Sequence, residues 1–578
     1  MNAVWLAVFG LVAFFLAYRY YSYFIAEKVF RLDANYKTPA HEVNDGVDYV
    51  PTNKYVLWGH HFSSVAGAAP IIGPAIAVFW GWLPALLWVV LGTIFAAGVH
   101  DFGTLVLSVR HKGHSVGTLA NRLVGQRSKL LFLFIILILV LMVNAVFAWA
   151  IAKLFVSFPA SILSIFIQIP LAIWIGYKVY KKSGSMLMPS IVALVVMYGT
   201  AILATYVPFL QIDLIAYFGG ADHPVIMGLD GTAMAFFVWI VILMIYVYIA
   251  STMPVWKLLQ PRDYINSHQL VVGLAMLYLG LLFSHPQVTA PATNPSADIS
   301  WFPLLFITIA CGAISGFHGL VSSGTSSKQL DNEKDARFVG YFGAIGEGSL
   351  ALISILAVIT LFPTTEAFNQ SYSSFSSAGA NGLGNFVKGA GQLATGIGIP
   401  ASAAETIVAI IVISFAATTL DTSVRLMRYI VAEIGEEYKI PSITKTHVAT
   451  TISVVSTAAL TLLPQGPKGF GSGGYLLWPL FGTSNQLLAG ISLMLVSLWL
   501  HRQGKNYLFT LAPMIFLLFM TVWAMIQQVF FQWMGTGGAD FQPLLFIFGV
   551  IILVFALWVI VEAIAVFSNK TKFEDISA

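Results

Sequence analysis

The sequence predicts an all-α polytopic membrane protein with about 15 transmembrane helices. Of its 578 residues, 58% are hydrophobic and only 9% are charged, and the mean hydropathy is +0.83. A soluble globular protein carries roughly a quarter charged residues, so this composition excludes a water-soluble fold of this size. Apolar runs long enough to cross the hydrocarbon core, which takes about 20 residues, recur along the whole chain.

These apolar runs define the predicted spans, and polar or charged stretches separate them. They lie at 2–24, 58–81, 82–108, 130–157, 160–177, 186–209, 232–254, 269–284, 302–321, 338–362, 404–430, 447–463, 475–500, 506–529 and 543–567. The first run is too long for the apolar core of a signal peptide, and no small-residue cleavage site follows it. We therefore expect it to be a retained helix.

The positive charges predict the orientation in the membrane. Of the 29 Lys and Arg residues, 25 fall in alternate connections, and the opposite connections contain only Lys388 and Lys468. Arg19 and Lys153 lie within spans. Because cytoplasmic loops of membrane proteins are enriched in Lys and Arg, we expect the N-terminus outside and the C-terminus in the cytoplasm.

Several classes of function are disfavoured by the motifs that the chain lacks. Its single cysteine, Cys311, cannot form an intrachain disulfide. The basic residues are scattered between apolar runs, so no nucleic-acid partner is expected. No phosphate-binding loop, nucleophile elbow or dinucleotide fingerprint occurs in a suitable context. We therefore expect no enzymatic activity and no cofactor, with the lipid bilayer as the surroundings.

The second span contains helix breakers near its middle. Its sequence, WGHHFSSVAGAAPIIGPAIAVFWGW, places Gly67, Pro70, Gly73 and Pro74 within eight residues. Each proline removes a backbone donor and clashes with the preceding turn, so a continuous helix is disfavoured. Irregular backbone at membrane depth lies beside protein or a water-filled cavity, which indicates a binding site. A kinked packing helix is the alternative.

Hydroxyl groups gather near this break and near the inner end of the ninth span. They are Ser63, Ser64, Ser322, Ser323 and Thr325. Such groups can coordinate a cation or bind a carboxylate, and we predict substrate or ion contacts for them. Small residues in spans also permit close helix packing without any ligand, so both interpretations stay open.

Charged residues within spans are costly and are candidates for function. Asp421 and Arg425 are four residues apart on one predicted helix face, where they can form a salt bridge. Arg425 is alternatively a gate or a contact for a substrate carboxylate. Glu347 lies in the tenth span, where it is either a proton carrier or a carboxyl buried against a hydroxyl.

A further group of ionisable residues is predicted near the inner surface. At the helical rise per residue, all of its members lie within roughly 10 Å of that surface. They are His60, His61, His100, Asp101 and His318. The group could relay protons or act in gating, or consist of ordinary hydrogen-bonded histidines. The spacing matches no metal-binding signature, so no bound metal is expected.

Six segments of the chain resemble the carbon starvation protein CstA family. They are WGHHFSSVAGAAPIIGPAIA, AAGVHDFGTLVLSVRHKGHSVG, ASTMPVWKLLQPRDYIN, SGFHGLVSSGTSSKQL, SFAATTLDTSVRLMRYIVAE and LFGTSNQLLAGISLML, in order from about 58 to 495. The resemblance implies a bacterial or archaeal inner-membrane transporter of peptides or pyruvate that uses an ion gradient. It also implies a LeuT-like fold of two inverted five-helix repeats.

The resemblance suggests how the predicted spans are arranged. Spans two to six and seven to eleven would form the inverted repeats within a transporter core at 58–445, between a first helix and loop at 1–57 and C-terminal helices at 446–578. Spans two and seven would then be broken, although Pro254 lies at the inner end of span seven, and span nine would line a sodium site.

The predicted function is secondary active import of short peptides or pyruvate during nutrient limitation, by alternating access and coupled to a proton or sodium gradient. The substrate site is expected near Gly67 to Pro74, with His60, His61, Asp101, His318, Glu347, Asp421 and Arg425 as candidates for coupling or gating. A passive channel and a metal-binding intramembrane enzyme are the alternatives. No oligomeric state is predicted.

Overall fold

The computed structural model describes residues 1–46, 48–182, 185–225, 228–464, 470–471, 473–535 and 541–568. Lys468 and residues 569–578 lie outside the described residues, although their lysines were counted in predicting the orientation. The described chain is a bundle of helices, as expected for a protein that must satisfy its backbone hydrogen bonds within each membrane span.

The main helices are numbered in chain order. They are α1 (Ala3–Phe30), α2 (Lys54–Val65), α3 (Ala69–Trp80), α4 (Trp82–Val109), α5 (Lys129–Ser157), α6 (Pro159–Val179), α7 (Leu187–Tyr206), α8 (Gly231–Thr252), α9 (Leu259–Ser284), α10 (Leu304–Thr308), α11 (Gly316–Val321), α12 (Glu333–Ile359), α13 (Phe375–Thr395), α14 (Ala401–Glu437), α15 (Thr446–Leu462), α16 (Trp478–Arg502), α17 (Leu508–Trp533) and α18 (Pro543–Ala565). Short helices lie in the connections, at Pro39–Glu42, Val116–Leu123, Leu214–Tyr217, Thr365–Ser371 and Gly473–Leu476.

Within the described residues, twelve helices are long and apolar enough to cross a membrane, or thirteen if α2 and α3 count as one bent span. The chain is therefore a multi-pass membrane protein. The remaining two predicted spans are a 17-residue helix, α15, and the pair α10 and α11, of which α11 continues through a π-helical turn to Gln329. The count of fifteen spans is not confirmed by helix length and composition.

The seventh predicted span is not broken. It is the continuous helix α8, which ends at Thr252, and Pro254 lies beyond that end. Met253 has extended backbone, with φ −71° and ψ 151°, because a residue that precedes proline is disfavoured in the helical region. The proline therefore terminates the span instead of breaking it, and the interruption falls in the ninth span, between α10 and α11.

The most buried spans lie in the centre of the bundle and the least buried lie at its edge. In the most apolar stretch of each helix, 100% of the residues of α16 and 94% of those of α14 are buried, against 28% for α1 and 33% for α18. Large apolar side chains such as Trp5 and Phe15 remain exposed on α1, as expected for a surface that faces lipid. The helices that carry the predicted site residues lie in the centre.

The Gly-rich and Ser-rich connection after α12 contains a long packed helix, α13. An added Cβ on Gly389 would lie 2.2 Å from the Ala357 carbonyl oxygen, and one on Gly382 would lie 3.1 Å from the Ile76 side chain. Small residues thus let α13 approach α12 and α3 closely. This helix covers the ends of α3 and α12 on the side predicted to be external.

Candidate functional site

The second span is interrupted just before its prolines. Helix α2 ends at Val65, Ala66 leaves the helical conformation, and α3 begins at Ala69 with an axis bent by 49°. Pro70 lies in the first turn of α3, where a missing N–H is tolerated, and Pro74 lies inside that helix. The predicted break is therefore present, and it lies at residues 66–68, which include Gly67 and precede both prolines.

Gly67 is placed in the break by close contacts from two other helices. A Cβ on Gly67 would lie 2.8 Å from both the Phe147 ring on α5 and the Thr419 Oγ1 atom on α14. The Thr419 hydroxyl and the nearby Ser64 hydroxyl have no hydrogen-bond partner among the described residues. The interruption thus brings its backbone close to the free Thr419 hydroxyl, and the free Ser64 hydroxyl lies three residues before Gly67 in the buried interior.

The ninth span is interrupted over residues 309–315. Gly312 has a φ of +97°, which favours glycine, and its N–H donates to Glu347 Oε1 at 3.1 Å. Its carbonyl oxygen accepts a hydrogen bond from Thr93 Oγ1 at 3.0 Å. A Cβ on Gly73 of α3 would lie 2.4 Å from the Thr308 carbonyl oxygen. The half-span α3 therefore packs directly against the start of the second interruption.

Asn485 on α16 holds the interrupted segment, and sequence reasoning missed this residue. Its Oδ1 atom accepts from the Phe317 N–H at 3.0 Å, and its Nδ2 atom donates to Ser315 Oγ at 3.0 Å and to Cys311 Sγ at 3.0 Å. The signal was the polar run TSNQ inside an otherwise apolar span. Asn485 lies in the segment 446–578, which was predicted to flank the core.

Four ionisable side chains form a continuous series of close polar contacts, named here the histidine–carboxylate chain. His100 Nδ1 lies 2.8 Å from Asp101 Oδ1, and Asp101 Oδ2 lies 2.8 Å from His318 Nδ1. His318 Nε2 lies 3.3 Å from Glu347 Oε1. All four side chains are buried, so the series links α4, α11 and α12 within the apolar interior.

Both ends of the histidine–carboxylate chain carry free polar atoms. Glu347 Oε2 and His100 Nε2 have no hydrogen-bond partner among the described residues. Glu347 contacts an imidazole and a backbone amide, so the interpretation of this carboxyl as one buried against a hydroxyl is wrong. Buried polar atoms are normally paired, so these two unpaired atoms are candidates for exchanging a proton.

The other two predicted histidines do not join this chain. His61 Nδ1 lies 2.9 Å from Ser326 Oγ, whereas His60 Nδ1 lies 2.9 Å from Asp263 Oδ2 on α9. Adjacent residues on a helix point in different directions, which explains the separation. Among the described residues, no group of three or more His, Cys, Asp and Glu side chains is arranged to hold a metal ion.

The predicted salt bridge between Asp421 and Arg425 does not form. Asp421 Oδ2 pairs instead with Arg262 NH1 on α9 at 2.5 Å and accepts from the Tyr246 hydroxyl on α8 at 2.7 Å. Arg425 donates to the Ala250 and Met253 carbonyl oxygens at 2.9 and 2.7 Å. The last carbonyls of a helix lack intrahelical partners and favour cations, so the end of α8 captures this guanidinium.

Arg262, Asp421 and Tyr246, with the adjoining pair His60 and Asp263, are named here the arginine network. Arg262 counted as a loop charge in predicting the orientation, but α9 begins at Leu259 and buries both Arg262 and Asp263. The Ser63 hydroxyl on α2 donates to the Asp263 carbonyl oxygen at 3.0 Å. The network therefore connects the first half of the interrupted second span to α8, α9 and α14.

A cavity of about 390 Å³ adjoins the arginine network. It lies between α2, α5, α9, α14 and the residues that follow α11, at the end of the molecule with the connections rich in Lys and Arg. Four predicted site residues line it, namely His60, Ser323, Thr325 and Arg425. Thr422 and Lys328 also line it, and sequence reasoning had singled out neither.

The predicted hydroxyl residues differ in their hydrogen bonding. The Ser323 hydroxyl donates to the Gly319 carbonyl oxygen at 2.7 Å, and the Thr325 hydroxyl donates to that of Val321 at 2.9 Å. The Ser322 hydroxyl, like that of Ser64, has no partner among the described residues. The structure thus divides the set into groups at the cavity wall and groups in the buried interior.

Two interrupted spans, a buried ionisable core and a cavity at one end characterise this multi-pass helical membrane protein. The chain belongs to the carbon starvation protein CstA family, whose model matches residues 2–378 and 364–524. This confirms the resemblance drawn from the six segments.

Relatives and a solved structure were found for the chain. It is 33% identical to the peptide transporter CstA of Campylobacter jejuni, covering 92% of this chain and 80% of that protein. It is 31% identical to the pyruvate/proton symporter BtsT of Escherichia coli, covering 92% and 82%. The structure of MhsT in complex with L-phenylalanine covers 89% of this chain and 99% of that chain, with a TM-score of 0.43 and 12% identity.

Proposed function

We propose that this protein is a secondary active transporter that imports short peptides or pyruvate during nutrient limitation. It would act in a bacterial or archaeal cytoplasmic membrane, with its N-terminus outside and its C-terminus in the cytoplasm. The names of its relatives, peptide transporter and pyruvate/proton symporter, support this class of substrate.

The cavity beside the interrupted second span is the observation that carries this proposal. It is lined by polar side chains from α2 and α14 and from the residues after α11, while α13 covers α3 and α12 at the opposite end. This asymmetry is expected for one state of an alternating-access cycle, in which the substrate site is exposed to one side at a time.

The coupling ion is proposed to be a proton or a sodium ion, and each has its own support. The histidine–carboxylate chain provides two imidazoles and two carboxylates that can exchange protons in the interior. The Ser64 and Thr419 hydroxyls beside the interrupted backbone are oxygen ligands suited to a hard cation. Neither ion requires a resident cofactor.

We also propose that spans two and nine begin the two inverted repeats of the core, in place of spans two and seven. Both predicted spans are interrupted within their length. With the orientation predicted from the loop charges, span two runs outward and span nine runs inward. Opposite directions are what an inverted pair of broken helices requires.

Uptake into proteoliposomes tests the proposal. The purified full-length protein would be supplied with labelled pyruvate or labelled dialanine under an imposed proton gradient, an imposed sodium gradient or neither. We expect one substrate to accumulate above its external concentration with one of the two gradients. Entry that stops at equal concentrations under every gradient would instead identify a passive channel and refute the proposal.

A further inference from the structure

We propose that Arg425 and Thr422 bind the carboxylate group of the transported solute at the wall of the cavity. This inference rests on the proposed function, and it assigns the substrate class to a pair of side chains. Both residues line the cavity, and both are more than nine-tenths buried. They are three residues apart on α14, so they lie on the same helix face.

Arg425 is a buried cation without a carboxylate partner. Its NH2 group is held by two neutral carbonyl oxygens at the end of α8, and its Nε–H has no hydrogen-bond partner among the described residues. No carboxylate of the described chain lies within 4.0 Å of its guanidinium, since no such ion pair occurs. An uncompensated buried charge is strongly unfavourable, and an anionic ligand would neutralise it.

The nearby carboxylates each have a partner at one oxygen, while Asp421 Oδ1 and Asp263 Oδ1 have no hydrogen-bond partner among the described residues. Asp421 pairs with Arg262 at 2.5 Å and Asp263 pairs with His60 at 2.9 Å, although Asp263 also experiences the charge of Arg425. Arg428 lies near enough to Arg425 to add to the positive potential. The wall of the cavity at Arg425 is therefore positive, and the solute can supply the missing negative charge.

Thr422 provides a second donor beside this charge. Its hydroxyl is buried and has no partner among the described residues. A carboxylate between Arg425 Nε and Thr422 Oγ1 would accept a charge-assisted hydrogen bond from the first and a neutral one from the second. Planar guanidinium groups suit carboxylates particularly well.

The rest of the lining favours a small solute that carries one carboxylate. Leu133, Ile136 and Leu320 offer apolar surface, and a volume of about 390 Å³ is within the range for small-molecule sites. Asp48 and Glu433 at the same cavity disfavour a multiply charged anion. Pyruvate and the C-terminus of a short peptide both have the required chemistry.

Equilibrium binding to the purified full-length protein in lipid nanodiscs tests the inference. The ligands are pyruvate and dialanine. Each is compared with the analogue in which an amide replaces the carboxylate, which is pyruvamide for pyruvate and the C-terminal amide for dialanine. We expect at least one carboxylate to bind, and its Kd to rise about tenfold or more in Arg425→Gln, since a charged hydrogen bond is lost. Binding of the amides should stay weak and unchanged.

Two further variants keep the test decisive. Thr422→Val preserves the side-chain shape and should weaken carboxylate binding by a few-fold, even if Arg425→Gln fails to fold. Arg428→Gln removes a neighbouring guanidinium that does not line the cavity, so its effect should be much smaller. Equal carboxylate affinity in wild type, Arg425→Gln and Thr422→Val would overturn the inference, as would binding of the amides as tight as that of the acids.

Failure of this inference and failure of the proposed function give different results. If the wild type accumulates solute uphill but Arg425→Gln binds the carboxylate normally, only the assignment of Arg425 as the carboxylate-binding residue is wrong. If the wild type binds a carboxylate through Arg425 but never accumulates it under any gradient, the role of Arg425 in binding is supported and the proposal of active transport is wrong.

Discussion

The histidine–carboxylate chain and the arginine network are both buried and both contain two carboxylates, but they differ in their cations. The first pairs Asp101 and Glu347 with imidazoles, and its described members include no permanent cation. The second pairs Asp421 with Arg262 at 2.5 Å. A guanidinium keeps its proton in proteins, whereas an imidazole gains and loses one near neutral pH.

This difference separates two roles that composition alone could not distinguish. The arginine keeps its charge, so the ion pair of Arg262 and Asp421 is suited to joining α8, α9 and α14 and to positioning the cavity wall. A series of imidazoles and carboxylates can change its charge state, so the histidine–carboxylate chain is suited to proton coupling. The arginine network also reaches the cavity through His60, whereas the four side chains of the histidine–carboxylate chain are fully buried.

Glu347→Gln should have the largest effect on transport. The amide keeps the side-chain shape but cannot take up or release a proton, so proton-driven accumulation of solute should be abolished. Exchange of labelled for unlabelled solute at equal concentrations should persist. Glu366→Gln, at an exposed glutamate before α13, is the matched control. Unimpaired proton-driven accumulation by Glu347→Gln would end the assignment of proton coupling to the histidine–carboxylate chain.

Arg262→Met should have the largest effect on stability. It leaves Asp421 buried without its counter-ion, and breaking such a pair typically destabilises a protein by about 3–5 kcal/mol. Unfolding in detergent, followed by circular dichroism, measures the change. Adding Asp421→Leu should restore much of the loss, while Glu347→Gln alone should destabilise far less. A double variant as unstable as the single one would show that the ion pair is not the cause.

Asn485→Ala should have an intermediate effect. It leaves the Phe317 N–H and Ser315 without their side-chain partner, and an unsatisfied buried group costs about 1–3 kcal/mol. The adjacent Gln486 has no partner for its amide atoms among the described residues, so Gln486→Ala is the matched control and should lose less stability. Equal losses measured by thermal unfolding would argue against a specific role for Asn485.

Ser63→Ala should have the smallest effect. The Ser63 hydroxyl lies 2.6 Å from the Gly59 carbonyl oxygen of its own helix and 3.0 Å from the Asp263 carbonyl oxygen, and one such hydrogen bond contributes about 1 kcal/mol. Ser64→Ala removes a hydroxyl without a described partner and should leave unfolding nearly unchanged. If sodium is the coupling ion, Ser64→Ala should instead weaken the sodium dependence of uptake. A larger loss of stability in Ser64→Ala than in Ser63→Ala would contradict these contacts.

The sequence by itself determined the membrane class, the approximate positions of the spans and the interruption of the second span. These properties depend on local chemistry. Apolar runs must be buried in lipid or protein, and Gly67 with the prolines that follow disfavours a continuous helix wherever the segment lies. The family followed from the same segments, because they retain the family's motifs in order.

Only the tertiary structure decided which side chains meet. Asp421 had a possible partner one turn away in Arg425, yet Arg262 from α9 takes the carboxylate and the end of α8 takes Arg425. The second interruption depends on Gly312 and on Asn485 from a distant helix. Hydrogen bonds and ion pairs act over a few ångströms, so they depend on which helices are neighbours, and the spacing of residues along one helix cannot specify that.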